Sequence, residues 1–163
     1  MKATEEAAFR EYVVARLDGL RRTAFLLCHD WHTADDLVAT ALDRLYRKWG
    51  QADNVDAYVR RILLNAWLDE RRRPWRRETA TGELPDRAAP DVGGPDEAGL
   101  LALLRRQPPR QRAVLVLRFY CDLSVEETAE ILGLPVGTVK SQTSRGLDAL
   151  RSAIAREESG AWT

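Results

Sequence analysis

The stretch SVEETAEILGLPVGTVKSQTSRGLDAL, residues 124–150, constrains this chain more than any other. Ser124 is a good helix N-cap, and Glu127 three residues on supplies the reciprocal bond of a capping box. Val125, Ala129 and Leu132, with Thr128 beside them, recur at helical spacing, so one face can bury. Gly133 stands where a left-handed C-terminal cap is wanted, and Pro135 prevents continuation. A second helix is expected to begin near Gly137. Val139, Thr143, Leu147 and Leu150 fall within a narrow arc of it. Thr138, Ser141, Ser144, Arg145 and Asp148 fall opposite, with Lys140 at the margin. A small residue at the crossing, a turn glycine and an apolar anchor describe a helix-turn-helix. The short hydroxyls and two cations on the outer face suit base edges and phosphates, so duplex DNA is the expected ligand. An ordinary helical hairpin would also have caps and an apolar stripe, but its outer face normally carries longer charged side chains.

Charge complicates this reading. The 25 basic and 25 acidic side chains cancel. Residues 1–50 hold 8 of each sign, 51–77 hold 7 basic and 4 acidic, 78–107 hold 3 and 6, and 108–163 hold 7 and 7. The basic excess is confined to one segment, and Glu126, Glu127 and Glu130 make the first helix of the hairpin acidic. With few phosphate-binding cations the nonspecific electrostatic contribution is weak. A larger partner is therefore expected to supply affinity.

The rest of the chain reads as helices and one linker. A helix over 4–19 carries Phe9, Tyr12, Val13, Leu17 and Leu20 on one stripe, and a separate short segment runs from Leu20 to Cys28. Cys28, His29 and His32 are too cramped for a usual structural zinc site, and no cofactor is expected. Cys28 and Cys121 read as free, buried thiols in a reducing cytosol. Thr33 is expected to open a helix with Asp36 as its capping partner, and Ala34, Leu37, Val38, Ala41, Leu42, Leu45, Tyr46 and Trp49 line its inner face. After a polar loop, Gln51–Asn54, a helix starts at Val55 with Val55, Tyr58, Val59, Ile62 and Ala66 inward and Arg60, Arg61, Asn65 and Trp67 on other faces. Arg60, Arg61, Arg71, Arg72, Arg73, Arg76 and Arg77, interleaved with Trp67 and Trp75, form the densest cation–aromatic cluster, a pattern suited to single-stranded nucleic acid. Residues 78–95, with three prolines and three glycines, read as an acidic linker. A helix over 96–107 follows. After Pro108 and Pro109 another restarts and packs the helix-turn-helix from below, and residues 152–163 look like a fraying tail. The fold class is thus all-α: two small helical domains, 1–77 and 96–155, joined by a flexible linker. Neither a secretory leader nor an apolar run of membrane-spanning length is evident, which places the chain in the cytoplasm. No nucleophile–base set or phosphate loop points to an enzyme.

In this order the pieces resemble the small sigma factors of the extracytoplasmic-function group, within the sigma-70 family, which carry only conserved regions 2 and 4. The resemblance rests on ADDLV…ALDRLYRKW at 34–49, AYVRRILLNAWLDERRR at 57–73 and PPRQRAVLVLRFYCDLSVEETAEILGLPVGTVKSQTSRGLDALR at 108–151. It implies a protein that binds core RNA polymerase and directs it to promoter DNA. Asp35, Asp36, Leu37 and Asp43 would contact the polymerase clamp. Gln51, Asn54, Tyr58, Arg60, Arg61 and Asn65 would capture the non-template strand of the −10 element, with Arg71, Arg72 and Arg73 on the nearby backbone. Thr138, Lys140, Ser141, Ser144 and Arg145 would read the −35 element. Ala39-Thr40 departs from the polar pair that commonly follows the Asp-Leu-Val. The charge puzzle also resolves, since polymerase raises the local concentration of both DNA-reading modules. An anti-sigma partner, or docking of the two halves, would hold such a protein idle. The competing readings are a stand-alone helix-turn-helix regulator, which would bind a palindromic operator tightly by itself, and an interaction module that occupies polymerase without reading DNA.

Overall fold

The computed structural model describes residues 2–71 and 95–160, with side chains at 2–71 and 99–156. The remainder of the acidic linker and Arg72, Arg73, Trp75, Arg76 and Arg77 lie outside the described residues. The chain divides into two compact units, Met1–Ala89 and Pro90–Thr163, and among the described residues every regular element is helical.

The first unit packs three helices. Helix α1, Ala3–Cys28, is a single rod rather than the two segments expected, because nothing at Leu20 breaks it. Gly19 has open space around it, and its carbonyl accepts the Thr23 hydroxyl at 2.8 Å. Burial on α1 is concentrated in its C-terminal third, at Leu20, Thr23, Ala24 and Leu27. Its end is set by His29, left-handed at φ 60°, a conformation histidine tolerates better than most side chains.

Helix α2, Trp31–Arg47, begins before the expected Thr33. Asp30 is the N-cap, accepting from the Thr33 amide at 2.9 Å and the Thr33 hydroxyl at 2.6 Å. Trp31 is thereby drawn inside the unit, stacked on Phe25 at 4.3 Å and with the Arg21 guanidinium over its ring at 5.2 Å. Ala34, Leu37, Val38, Ala41 and Leu45 are buried as their spacing predicts.

Helix α3, Val55–Arg71, packs on both α1 and α2, so its buried face is broad. Val59, Ile62, Leu63, Leu64, Ala66 and Trp67 are all buried. Trp67, expected on an outer face, is instead among the largest fully buried side chains, 1% exposed.

The second unit contains α4, Pro95–Arg106; α5, Pro109–Leu115; a π-helical turn, Val116–Tyr120; α6, Val125–Leu132; and α7, Val136–Gly160. Val114 of α5, Ala129 of α6 and Val139 of α7 meet in the core, ringed by Val125, Leu132 and Leu134. The helix expected to restart after Pro108 and Pro109 stops being α-helical at Leu115, and the Cys121 amide reaches the Val116 carbonyl at 3.0 Å. Arg112 is buried, and its guanidinium donates to the carbonyls of Leu104 (3.2 Å), Arg105 (2.8 Å) and Gln107 (3.1 Å). A cation thus satisfies the orphan carbonyls at the end of α4, where the helix dipole favours positive charge. Residues 152–160 continue α7 rather than fraying.

Candidate nucleic-acid interface

The helix-turn-helix is built by local rules. The Ser124 hydroxyl accepts from the Glu127 amide and the Glu127 carboxylate accepts from the Ser124 amide, each at 3.0 Å. Half the acidity of the first turn of α6 is therefore structural, a cap at the positive end of a helix. Gly133 takes φ 65°, and the Leu134 amide returns to the Ala129 carbonyl at 3.0 Å, closing the turn. The Pro135 carbonyl then accepts from Thr138 and Val139 and launches α7.

On α7, Lys140, Ser141, Ser144 and Arg145 are exposed and Thr138 is partly buried, all on the side away from the fully buried Val139. The outer face is as expected in composition, but its members differ in availability. The Ser141 hydroxyl donates back to the Thr138 carbonyl at 3.0 Å, so it meets a ligand already satisfied within the helix. Gly146, which no sequence pattern singles out, is buried where α7 crosses α5: a Cβ there would stand 2.8 Å from Leu115 Cδ1.

In the first unit the structure sorts the expected strand-binding residues into two groups. Asn54, Tyr58, Arg61 and Asn65 fall at 3- or 4-residue steps on one flank of α3, with Gln51 exposed on the preceding loop. Arg60 and Arg71 lie on the opposite flank, Arg60 close enough to Asp56 to lower the carboxyl's pKa. Asn54 is also the helix cap, its side-chain oxygen accepting from the Ala57 amide at 3.1 Å. Arg71 lies over the Trp67 ring at 5.6 Å. Because Trp67 is buried, its face is unavailable to an unstacked base, which corrects the stacking role read from the sequence.

The Asp56 carboxylate, absent from the expected set, is a node. It accepts from the Tyr12 hydroxyl at 2.6 Å and from Arg16 Nε at 3.1 Å. Burial alone would raise its pKa, but the hydrogen bonds from Tyr12 and Arg16 and the charges of Arg16 and Arg60 outweigh it and hold the carboxyl below its ordinary value. Burial, then the bond to Asp56, pushes the Tyr12 phenol well above its own.

The acidic residues of α2 are likewise unequal. Asp36 is exposed, 3.8 Å from His32 Nε2, and Asp43 is exposed in a 3.2 Å pair with Arg47. Asp35 is half-buried and bonded to Arg21 at 2.7 Å. Leu37 is 4% exposed and belongs to the core, with only its edge lining a groove. Between α2 and α3 an open groove of about 260 Å³ is lined by Thr33, Asp36, Leu37, Thr40, Arg44, Ala66, Asp69 and Glu70. Among the described residues no group of three or more His, Cys, Asp or Glu side chains could hold a metal ion, and the Cys28 thiol bonds the Asp30 carbonyl at 3.3 Å. No described helix is long and apolar enough to cross a membrane.

Residues 13–77 match the family model for Sigma-70 region 2, and residues 98–150 match that for Sigma-70, region 4. The RNA polymerase sigma-E factor of Streptomyces avermitilis is 41% identical over 155 residues, covering 92% of this chain and 87% of the relative. The chain is a sigma factor of the extracytoplasmic-function group. The sigma-E factor of Streptomyces coelicolor is 39% identical over 155 residues, 92% of this chain and 88% of that one. The SigE factor of Mycolicibacterium smegmatis, named as an extracytoplasmic-function factor, is 33% identical over 91% of this chain and 62% of its own length. Among solved structures, the sigma factor RpoE of Bartonella quintana, crystallised with the anti-sigma factor NepR, superposes with a TM-score of 0.75 at 25% identity, covering 91% of this sigma factor and 97% of that chain. Each matched region falls inside one of the two units: the exposed flank of α3 lies in region 2, and Thr138–Arg145 of α7 lie in region 4.

Proposed function

We propose that this transcription initiation factor divides promoter recognition between its two units while bound to core RNA polymerase in the cytoplasm. The second unit reads duplex at the −35 element through Thr138, Lys140, Ser144 and Arg145 of α7, with Ser141 in a lesser role. The first unit holds the non-template strand of the −10 element with Gln51, Asn54, Tyr58, Arg61 and Asn65. Arg60 and Arg71 serve the phosphate backbone from the other flank, together with Arg72 and Arg73. Asp36 and Asp43, the exposed carboxylates of α2, meet the polymerase, and Asp35 shapes that surface through Arg21.

The observation that carries this reading is the pairing of regions 2 and 4 in one chain, each on its own compact unit with a polar flank exposed. The electrostatics agree: a chain of zero net charge gains little from counterion release, so it depends on polymerase to bring both arms to DNA. An anti-sigma factor is the inhibitory partner we infer, on the precedent of the Bartonella quintana complex. Run-off transcription with core enzyme on a library of promoters tests the reading. Promoter-specific transcripts that require the protein are expected. Absence of core binding, or tight binding of a palindromic operator by the protein alone, would sink it.

A further inference from the structure

The loop between Trp49 and Val55 is the part of the first unit assigned above to strand capture, and one side chain touches both of its stems. The Tyr12 ring lies against Trp49, at the end entering the loop, with centroids 5.6 Å apart. The Tyr12 hydroxyl donates to Asp56, one residue past the start of α3, at 2.6 Å. Arg16, one turn along α1, adds a 3.1 Å ion pair to the same carboxylate. Phe9, one turn the other way, meets Trp49 edge-on at 5.3 Å and Tyr46 at 5.2 Å. The loop's own bonds are local: Gln51 amide to Lys48 carbonyl, and the Asn54 cap on Ala57. Gly50 turns at φ 88° between them. Beside the packing of α3 on α2, the contacts that reach both stems come from α1, which lies outside the loop in sequence by some forty residues.

We propose that Tyr12, acting with Arg16 through Asp56, is a positioning residue for −10 strand capture. The burial pattern of α1 fits such a task. Its C-terminal third is anchored by buried apolar residues, whereas its N-terminal half reaches the loop mainly through aromatic edges and one shared carboxylate. A bond of 2.6 Å to a carboxylate is directional and strong, so it specifies where the stem sits as well as that it sits there. Tyr12 contacts no DNA in this scheme; it holds Gln51, Asn54 and Tyr58 in register with one another. The proposal rests on the strand-capture reading of the loop.

The test uses full-length protein assembled with core polymerase. The probe is a fluorescent single-stranded oligonucleotide carrying the non-template −10 sequence of a promoter active in run-off transcription. Tyr12→Phe keeps the ring on Trp49 and removes only the bond to Asp56. It should weaken oligonucleotide capture about tenfold, the factor matching one hydrogen bond to a charged group. Affinity for core polymerase should stay within about twofold, since the α2 carboxylates are untouched. Arg16→Ala, at an exposed side chain, should weaken capture by a smaller factor and carries the test if Tyr12→Phe fails to fold. Unchanged capture by the folded variants would overturn the proposal and leave the loop's assignment standing. Equal losses of capture and of core affinity would reduce the cluster to a stabilising contact and also overturn it. Wild-type holoenzyme that binds a scrambled oligonucleotide as well as the −10 sequence would overturn the loop's assignment and the proposal together.

Discussion

Gly146 of α7 lies directly on the Leu115 side chain of α5, so close that an added methyl group would stand 2.8 Å from Leu115 Cδ1 and 2.9 Å from Cδ2. Gly146 contributes no side chain of its own there, and Leu115 is only 4% exposed, so it has little room to swing away. This contact sets how far α7 stands from the rest of its unit. Gly146→Ala should gain about 1 kcal/mol of helix propensity and lose about 1 to 3 kcal/mol to overpacking, for a net loss of stability. Leu115→Ala alone should cost about 2 to 5 kcal/mol through the cavity it opens. Combined, the new methyl partly fills that cavity, so the two losses should fall short of their sum. Urea unfolding of the four proteins checks this; strict additivity would mean the helices do not touch as described.

Arg112 invites an opposite treatment, because here a buried guanidinium is bonded to main-chain carbonyls. Its three backbone acceptors all belong to residues 104–107, the end of α4 and its exit. Arg112→Met would keep volume but remove all three guanidinium bonds, leaving the Leu104 carbonyl only its bond from the Gln107 amide, at a cost of about 3 kcal/mol. Arg112→Lys should recover only part of this, since one ammonium cannot reach three acceptors in the fork geometry. Denaturant midpoints that rank wild type above Lys above Met are the expected result.

What the sequence could reveal tracks the range of the forces involved. Ser124, Glu127 and Gly133 obey rules that span three or four residues, and each sits as those rules require. Asp30 and Thr33 both satisfy the N-cap rule; the choice between them is made by Trp31 stacking on Phe25, a contact across two helices. Leu64 and Trp67 are buried because α3 is covered from two sides, and a single-stripe reading cannot see the second neighbour. The burial of Arg112 has no local signal, since nothing nearby in sequence says that a helix end eight residues upstream takes a cation. For the residues proposed to read DNA, periodicity separated the outer face of α7 from its core but could not show that Ser141 is already bonded to Thr138. Nor could it divide Arg60 from Arg61 by flank until the packing of α3 was known.

The Tyr12–Asp56 pair should leave a mark on the pH dependence of stability. Asp56 has a folded pKa below its ordinary 3.8, so its contribution is present above that value and fades as pH falls through the folded pKa. Tyr12 is shifted the other way, above its ordinary 10.0; its contribution is present below that pH and is lost as the solution becomes more alkaline. Asp56→Asn should therefore lower stability at neutral pH while flattening the acid side of the profile below about pH 5. Urea midpoints of both proteins between pH 7 and 3 would show converging curves. Parallel curves would mean that Asp56 titrates alike in the folded and unfolded states.

Burial of Trp67 separates folding from DNA binding within α3. The ring is 1% exposed, so no base can stack on it, and Trp67→Phe should cost about 2 kcal/mol of stability through lost packing. In holoenzyme at a temperature where the variant is folded, its affinity for a single-stranded −10 oligonucleotide should equal that of wild type. Arg61→Ala, on the exposed flank beside Tyr58 and Asn65, should do the reverse. Stability should fall by less than in Trp67→Phe, since the Arg61 side chain is exposed and no core packing is lost. Oligonucleotide binding should weaken, and the slope of log affinity against log salt should fall by about 1, the signature of one lost phosphate contact. Thermal melts and salt titrations of both variants decide the matter: a Trp67→Phe protein that folds normally yet loses strand binding would return the indole to the interface and require this side of α3 to open.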